Sequence, residues 1–174
     1  MQRDPAVFVI GEEVGIWGGA YKVTEGLLEK YGESRIIDTP ISEALIAGAA
    51  VGASITGLRP IAEFMYSDFM GIAMDQIVNQ AAKNRYMFGG KATLPIVYRA
   101  STGAGIGNAA QHTQSLEAWF THIPGLKVVA PSTPYDAKGL LKSAIRDNNV
   151  VVFLEHKALY ASRGNGPEGD YVVP

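Results

Sequence analysis

Short apolar runs rich in β-branched residues alternate along this chain with longer segments of helical periodicity, and this alternation limits the fold more than any other feature. It is typical of β-α-β units, which build a parallel sheet. The runs are almost continuously apolar, as expected of strands that are covered by helices on both faces. We therefore predict an α/β fold with an open, largely parallel sheet of about six strands, flanked by helices on both faces. The predicted strands are residues 7–11, 35–39, 59–64, 94–100, 127–131 and 150–156.

Three segments between the predicted strands have the apolar spacing of helices. Ser42 is a suitable N-cap for the first, Glu43–Ile55, whose glycine and alanine residues favour close approach to another surface. Asp68 is the predicted N-cap of a longer helix that reaches residue 88 and ends at two glycines. The third helix is Pro134–Arg146. The stripe of the second helix that we expect to face the core comprises Phe69, Ile72, Ala73, Gln76, Ile77, Gln80 and Ala81.

The composition excludes several classes of protein. Among 174 residues, 17 acidic and 15 basic side chains give a net charge of −2, without the basic surface of a nucleic-acid-binding protein. No apolar run approaches the ~18 residues of a membrane span, so we expect no membrane partner. The absence of cysteine excludes a disulfide framework, thiolate catalysis and cysteine-ligated zinc. The charged fraction of 18% is below the usual value of about 25%, which indicates that a partner subunit covers part of the surface.

The two ends of the chain lead to expectations about location and length. The N-terminus lacks the basic, apolar and small-residue regions of a signal peptide, so we expect a cytoplasmic protein. The first predicted strand begins almost at once, and another extended segment begins at the last residues. These features indicate that residues 1–174 are one domain cut from a longer chain.

Three residues are candidates for a functional site at the carboxyl ends of the strands. Glu43 opens the glycine- and alanine-rich helix, where loss of water favours the protonated carboxyl group and so proton transfer. The alternative is a first-turn glutamate that is stabilised only by the helix dipole. His112 is either a proton-exchanging group or a hydrogen-bonded loop residue. Phe69 is expected near the same edge, although most such aromatic residues belong to the core.

The glycine-rich stretch at 103–107 is similar in composition to phosphate-binding loops. A dinucleotide-binding fingerprint needs glycine where Asn108 stands, and no Lys-Ser/Thr pair completes a P-loop. We therefore interpret the stretch as a loop that shapes the rim of a pocket. Ser115 lies three residues from His112, which leaves a self-sufficient hydrolase as an alternative, but spacing alone does not establish a catalytic triad.

Seven stretches, spread over nearly the whole chain, match one known family. They are Gly11-Glu-Glu-Val-Gly, Asp38-Thr-Pro-Ile-Ser-Glu, Gly57-Leu-Arg-Pro-Ile-Ala-Glu-Phe, Asp75-Gln-Ile-Val-Asn-Gln-Ala-Ala-Lys, Gln111-His-Thr-Gln-Ser, Pro124-Gly-Leu-Lys-Val-Val-Ala-Pro-Ser and Asp136-Ala-Lys-Gly-Leu-Leu. With these stretches the chain resembles the beta subunit of the thiamine-diphosphate-dependent first component of 2-oxoacid and acetoin dehydrogenase complexes. The resemblance implies a transketolase-type pyrimidine-binding domain. The family's N-terminal helix and C-terminal domain are expected to be missing from residues 1–174.

The resemblance also implies a cofactor and partners. In the family, an alpha subunit holds the diphosphate and Mg²⁺, and the beta subunit holds the aminopyrimidine ring. Two alpha and two beta chains form a heterotetramer, which passes an acyl group to the lipoyl group of an acyltransferase. We therefore expect this chain to supply half a site, to pack against an alpha subunit and a second beta chain, and to be inactive alone.

Three residues acquire roles from the resemblance. Glu43 matches the glutamate that hydrogen-bonds the pyrimidine ring nitrogen and favours the imino tautomer, which deprotonates the thiazolium carbon. Phe69 matches the aromatic residue that packs against the pyrimidine ring. His112 matches an active-site histidine that assists proton transfer or the reductive acylation of lipoyl.

A structural potassium ion is a further implication. The positions that bind K⁺ in some relatives, mostly through backbone carbonyl groups, match Ile96, Ala144, Asp147 and Asn149. Oxygen ligands suit such a hard cation. The alternative is that the polar residues after the third predicted helix only end it and form a turn.

Two questions about function stay open at the level of sequence. The first is the substrate. Two segments, Asn84-Arg-Tyr-Met-Phe-Gly-Gly and the one around His112, are more similar to the acetoin branch of the family than to the branched-chain branch, and pyruvate is the second candidate substrate. The rival interpretation is a non-catalytic assembly module of the same α/β class, in which Glu43 is only a first-turn residue.

Overall fold

The computed structural model describes all residues from 1 to 174 and contains one sheet of six strands. Every neighbouring pair of strands is parallel, so the prediction of an open, largely parallel α/β sheet is confirmed. The strands are β1 (Val7–Gly11), β2 (Ile36–Asp38), β3 (Arg59–Phe64), β4 (Val97–Thr102), β5 (Lys127–Val129) and β6 (Val151–His156), in the order β2-β1-β3-β4-β6-β5.

Prolines explain where two strands differ from the prediction. β4 begins at Val97 rather than at residue 94, because Pro95 has no N–H group to donate to a neighbouring strand. The Leu94 N–H group instead donates to the Asn148 carbonyl oxygen at 3.1 Å. The edge strand β5 ends at Val129, two residues before Pro131.

Helices cover both faces of the sheet. On one face, α2 (Glu43–Ile55) packs against β3 and against the helical segment that follows β3, and the short helix α4 (Glu117–Thr121) packs against β5. On the other face lie α1 (Leu27–Tyr31) and α5 (Pro134–Arg146), beside a smaller core. The α2-side core includes Phe8, Ile10, Ile46, Phe64, Tyr98 and Leu154, and the other core includes Val7, Val9, Ile36, Ile61, Val97 and Phe153. This alternation along each strand fixes which side chains can reach each face.

The predicted long helix at 68–88 is wrong in detail. The segment is a 3₁₀ helix at Ser67–Ala73, a π-helix at Asp75–Ala81 and α3 at Ala82–Met87. Asp68 does not cap it, because its Oδ1 accepts hydrogen bonds from the N–H and Nε2 groups of Gln114. The buried stripe is also shifted, since Ile72 is 61% exposed. The buried apolar residues are Met70, Ala73, Ile77, Ala81 and Ala82, and their spacing of mostly three or four residues is compatible with all three types of helix.

The α2 helix begins and ends at the predicted residues. Ser42 occupies its N-cap position, but the Ser42 side chain makes no capping hydrogen bond. The Ser42 carbonyl oxygen accepts the first hydrogen bond of the helix, from the Ile46 N–H group at 3.0 Å. On the inner side of the helix, the Tyr98 hydroxyl group donates to the Ala47 carbonyl oxygen at 3.1 Å, which joins β4 to α2. None of the helices is both long and apolar enough to span a bilayer.

Candidate functional site

The strand order creates a crevice at the carboxyl ends of β1 and β3. β1 pairs with β2 on one side and with β3 on the other. The chain therefore runs from β1 to β2 in one direction and then crosses back to form β3 on the other side of β1, so the strand order reverses there. Ligands of open α/β sheets bind at such a switch point. The chain segments that follow β1 to β4 at this edge contain Glu12, Glu43, Phe69 and His112.

Glu43 is buried at the start of α2. It is 7% exposed, which is low for a glutamate, because glutamate is almost never fully buried unless it is paired. The helix that it opens packs against the 3₁₀ segment Ser67–Ala73, which carries Phe69. Glu43 therefore lies at the carboxyl edge of the sheet, on the helix that packs against the segment of Phe69, and its role as a site residue stays a prediction.

Glu12 is a second carboxyl group at this edge, and the sequence analysis gave it no role. Burial raises the pKa of Glu12, and the negative charges of Glu43 and Glu13 raise it further. The available signal was the motif Gly11-Glu-Glu-Val-Gly, which places Glu12 directly after a buried strand.

Phe69 and His112 come together in an aromatic cluster with Tyr66. The rings of Phe69 and His112 lie at 90°, with centroids 5.1 Å apart. The Tyr66 ring meets the His112 ring at 4.8 Å and 79°, and it meets the Phe69 ring at 6.0 Å and 83°. These edge-to-face contacts are favourable and fix the orientation of the imidazole. Phe69 is only half-buried, so part of its ring is open to a ligand.

His112 lies at the end of the glycine-rich loop. The loop is closed at its base by the Gly103 N–H group, which donates to the Gln114 carbonyl oxygen at 2.9 Å. Gly103 has a φ of +79°, and a Cβ atom there would clash with the His156 imidazole, so this turn requires glycine. His112 Nδ1 is buried without a hydrogen-bond partner. Such an orphaned polar atom is unusual and marks a candidate position for a missing ligand or water.

The orphaned atoms and the half-open ring fit an aminopyrimidine ring. A buried carboxyl group can hydrogen-bond a ring nitrogen, and a half-buried phenyl ring can stack on a planar heterocycle. Asp68 Oδ2, beside the loop, is a second buried acceptor without a partner. The acceptor groups and the aromatic ring at this edge are thus suited to a polar, planar heterocycle.

Lys157 is a further residue that the sequence analysis did not identify. It follows β6, is 6% exposed, and donates from Nζ to the His112 carbonyl oxygen. Burial lowers the pKa of Lys157, and the negative charge of Asp68 opposes that effect. No local pattern signals this contact, because Lys157 and His112 are 45 residues apart.

A buried ion-pair network crosses the centre of the sheet on the face opposite α2. Arg99 of β4 binds Glu63 of β3 and, with two nitrogens, Glu155 of β6. The Tyr160 hydroxyl group donates to Glu155 Oε2 at 2.6 Å. Burial alone lowers the pKa of Arg99, but the charges of Glu63 and Glu155 outweigh it and raise that pKa above its usual range. Arg99 therefore stabilises both carboxylates beneath the carboxyl edge, although the two carboxylates repel each other.

The four residues of the potassium prediction lie at the opposite, amino edge of the sheet. Ile96 precedes β4, and Ala144, Asp147 and Asn149 surround the turn between α5 and β6. The Ile96 carbonyl oxygen accepts from the Val151 N–H group at 2.9 Å. Asp147 binds Lys127 and the side chain of Asn149, which lowers the pKa of Asp147 although burial opposes it. These contacts do not exclude a cation, because a carbonyl oxygen that already accepts one hydrogen bond can accept a second contact. The potassium site therefore stays a prediction.

The structure does not support the hydrolase alternative. Ser115 is exposed, and His112 Nδ1 has no hydrogen-bond partner. A serine nucleophile needs an imidazole that is both paired with it and oriented by a third group.

Comparison with known proteins agrees with this geometry. Residues 1–163 match the family described as "Transketolase, pyrimidine binding domain". The chain is 57% identical over 184 residues to the beta subunit of acetoin:2,6-dichlorophenolindophenol oxidoreductase from Cupriavidus necator, covering 100% of this chain and 54% of that protein. It is 58% identical over 178 residues to the human mitochondrial pyruvate dehydrogenase E1 component subunit beta, covering 100% of this chain and 50% of that protein. The chain thus spans about half the length of these curated relatives.

A solved structure shows the same fold. The split-gene transketolase described as an inactive beta4 tetramer aligns with a TM-score of 0.69 at 21% identity, covering 90% of this chain and 46% of that one. The parallel sheet, its switch point and the family match over nearly all residues lead to one conclusion. The chain belongs to the transketolase pyrimidine-binding-domain family, and over its whole length it is similar to the beta subunits of an acetoin oxidoreductase and a pyruvate dehydrogenase, of which it spans about half.

Proposed function

We propose that this chain is the pyrimidine-binding domain of a beta subunit in a thiamine-diphosphate-dependent acetoin or 2-oxoacid dehydrogenase. The observation that carries the proposal is the buried carboxyl group of Glu43 at the switch point, on a helix that packs against the segment of Phe69. Thiamine diphosphate supplies the electron sink for cleavage of the bond beside a carbonyl group. The protein supplies position, a proton-sharing group and exclusion of water.

Each residue of the proposed site has its own task. Glu43 shares a proton with a ring nitrogen of the aminopyrimidine, which its burial favours because water does not compete for the carboxyl group. Phe69 stacks on the pyrimidine ring and fixes its plane. His112 exchanges a proton near the reacting carbon and assists acyl transfer to a lipoyl group on an acyltransferase. Since His112 Nδ1 is buried, Nε2 is the nitrogen that we assign to this exchange.

The surface around Glu43 supports a shared site. Large apolar side chains are exposed near this edge: Ile16 (77%), Trp17 (62%) and Ile41 (81%). Ile16 is tied to β2, because its N–H group donates to Asp38 at 3.0 Å. Clustered apolar exposure of this kind marks protein interfaces. We assign it to an alpha subunit that completes the site and holds the diphosphate and Mg²⁺.

The outer face of α2 supports a second subunit contact. Leu45, Gly52 and Ile55 are exposed along it, and nothing lies within 4 Å of a Cβ atom built on Gly52. A face with so little bulk allows close approach of another backbone. We assign it to packing within the heterotetramer, where a second beta chain is the expected neighbour. A K⁺ ion at Ile96, Ala144, Asp147 and Asn149 would stabilise the amino edge of the sheet in the same assembly.

Turnover by the reconstituted enzyme tests the proposal. Full-length beta chain, mixed with its alpha subunit, thiamine diphosphate and Mg²⁺, is expected to reduce 2,6-dichlorophenolindophenol with acetoin at least about tenfold more efficiently than with pyruvate. One extra or missing methylene group in a substrate pocket changes kcat/KM by about 10- to 200-fold. Residues 1–174 alone are expected to be inactive. A preference for pyruvate would contradict the acetoin assignment, and no turnover with either substrate in a confirmed complex would contradict the proposed function.

A further inference from the structure

Lys157 is an unusual residue for a position next to His112. Burying an ammonium group is costly unless it is compensated, and Lys157 is 6% exposed. Its Nζ donates to the His112 carbonyl oxygen and lies 4.8 Å from the centroid of the Tyr66 ring. The contact with an aromatic face is favourable for a cation, more so away from water. Lys157 thus touches both the backbone of His112 and the ring against which the imidazole packs.

The loop that carries His112 needs such a contact. Residues 104–111 are exposed, so little of the loop is held by the core. Ala109, three residues before His112, has a φ of +70°, a conformation that is unfavourable for a non-glycine residue and persists only where surrounding contacts impose it. Asp68 holds Gln114 on the far side of His112. Lys157 is the side chain that holds the backbone of His112 itself.

We propose that Lys157 is a positioning residue for His112 and acts in turnover through the imidazole. Its ammonium group fixes the His112 peptide by hydrogen bonding and orients the Tyr66 ring, whose edge meets the imidazole at 4.8 Å. The imidazole is thereby held edge-on to Phe69 at 5.1 Å. This inference rests on the proposed function, because it requires that His112 exchange a proton during the reaction.

A substitution that removes the charge but keeps the length of the side chain tests the inference. In the full-length beta chain assembled with its alpha subunit, Lys157→Met is expected to lower kcat for acyl transfer to lipoyl by about 10- to 100-fold, since a displacement near 1 Å costs about 10²-fold. KM for the substrate is expected to change less than about threefold, because Lys157 does not touch the substrate. Lys157→Arg, which retains the charge and the donors, is expected to restore part of kcat.

A double-mutant cycle separates positioning from general stability. In the His112→Ala background, Lys157→Met is expected to have no further effect on kcat, because the group through which it acts is already gone. Equal losses in the two backgrounds, or wild-type kcat in Lys157→Met, would overturn the inference. If Lys157→Met does not assemble, the same cycle with Lys157→Arg decides, by the same criterion.

Lys138 provides a matched control. Its Nζ donates to the carbonyl oxygens of Pro167 and Gly169 at 3.3 and 3.1 Å, and it lies 4.9 Å from the Tyr171 ring. These are the same two kinds of contact on a different part of the protein, so Lys138→Met is expected to keep wild-type kcat. Wild-type kcat in His112→Ala would contradict the proposed role of His112. A large loss in His112→Ala with none in Lys157→Met would contradict only the inference about Lys157.

Discussion

Replacing Glu43 with glutamine in the full-length beta chain, assembled with its alpha subunit, is expected to lower turnover by about 10²- to 10⁴-fold, the usual contribution of a positioned proton-transfer group. Glutamine keeps the size of the side chain but cannot share an acidic proton with a ring nitrogen. Because Glu43 is only 7% exposed, bulk water does not reach this position to take over its role in proton transfer. Steady-state kinetics with saturating cofactor measures the effect.

Glu29 provides the control for this substitution. It also lies in the first turn of a helix, α1, but it is exposed. Glu29→Gln is therefore expected to leave turnover unchanged. If Glu43→Gln also retained turnover in a confirmed complex, Glu43 would be a first-turn residue only, and the assembly module would be the better account.

Replacing Arg99 with methionine is expected to destabilise the fold by about 3–5 kcal/mol, because the substitution leaves buried carboxylates without their partner. The Arg99 side chain is 4% exposed, and those of Glu63 and Glu155 are 11% and 13% exposed. Urea denaturation of the chain, followed by circular dichroism, measures the free energy of unfolding. Arg146→Met is the control, because Arg146 binds Asp170 on the surface, and its removal is expected to change stability little.

The loss of stability caused by Arg99→Met is expected to depend on pH. Burial raises the pKa of Glu63 above its ordinary value of 4.5, and Glu155 raises it further, while Arg99 opposes both. Without Arg99, the folded state binds protons more tightly than the unfolded state, so lowering the pH favours folding. The loss of folding free energy in Arg99→Met is largest above the folded-state pKa of Glu63, and it becomes smaller as the pH falls toward 4.5. A penalty that stays constant from neutral pH down to pH 4.5 would contradict this account of the network.

The sequence predicts the parts of this fold that depend on local patterns. The helix Glu43–Ile55 has the predicted limits, because a proline and a serine precede a continuous run of small and apolar residues. The sequence predicts one α-helix at 68–88, since the apolar spacing there is compatible with 3₁₀, π and α turns alike. Hydrogen bonding there depends on packing against α2, which no local pattern specifies.

The candidate site is predicted only in part for the same reason. Glu43, Phe69 and His112 follow predicted strands, so their common edge follows from the parallel sheet. The burial of Lys157 depends on a loop 45 residues away. The Arg99 network has a signal in the sequence, namely charged residues of opposite sign in the apolar strands β3, β4 and β6. Charges in buried strands are rarely tolerated unless they are paired.

Binding of thiamine diphosphate tests the central claim most directly. Isothermal titration with Mg²⁺ is carried out on residues 1–174 alone, on full-length beta chain alone, and on full-length beta chain mixed with its alpha subunit. The account predicts weak or absent binding to the chain alone and saturable binding to the mixture, because this chain supplies the aminopyrimidine half of the site. Absence of binding to a mixture whose association has been confirmed would contradict the claim that this domain holds the cofactor.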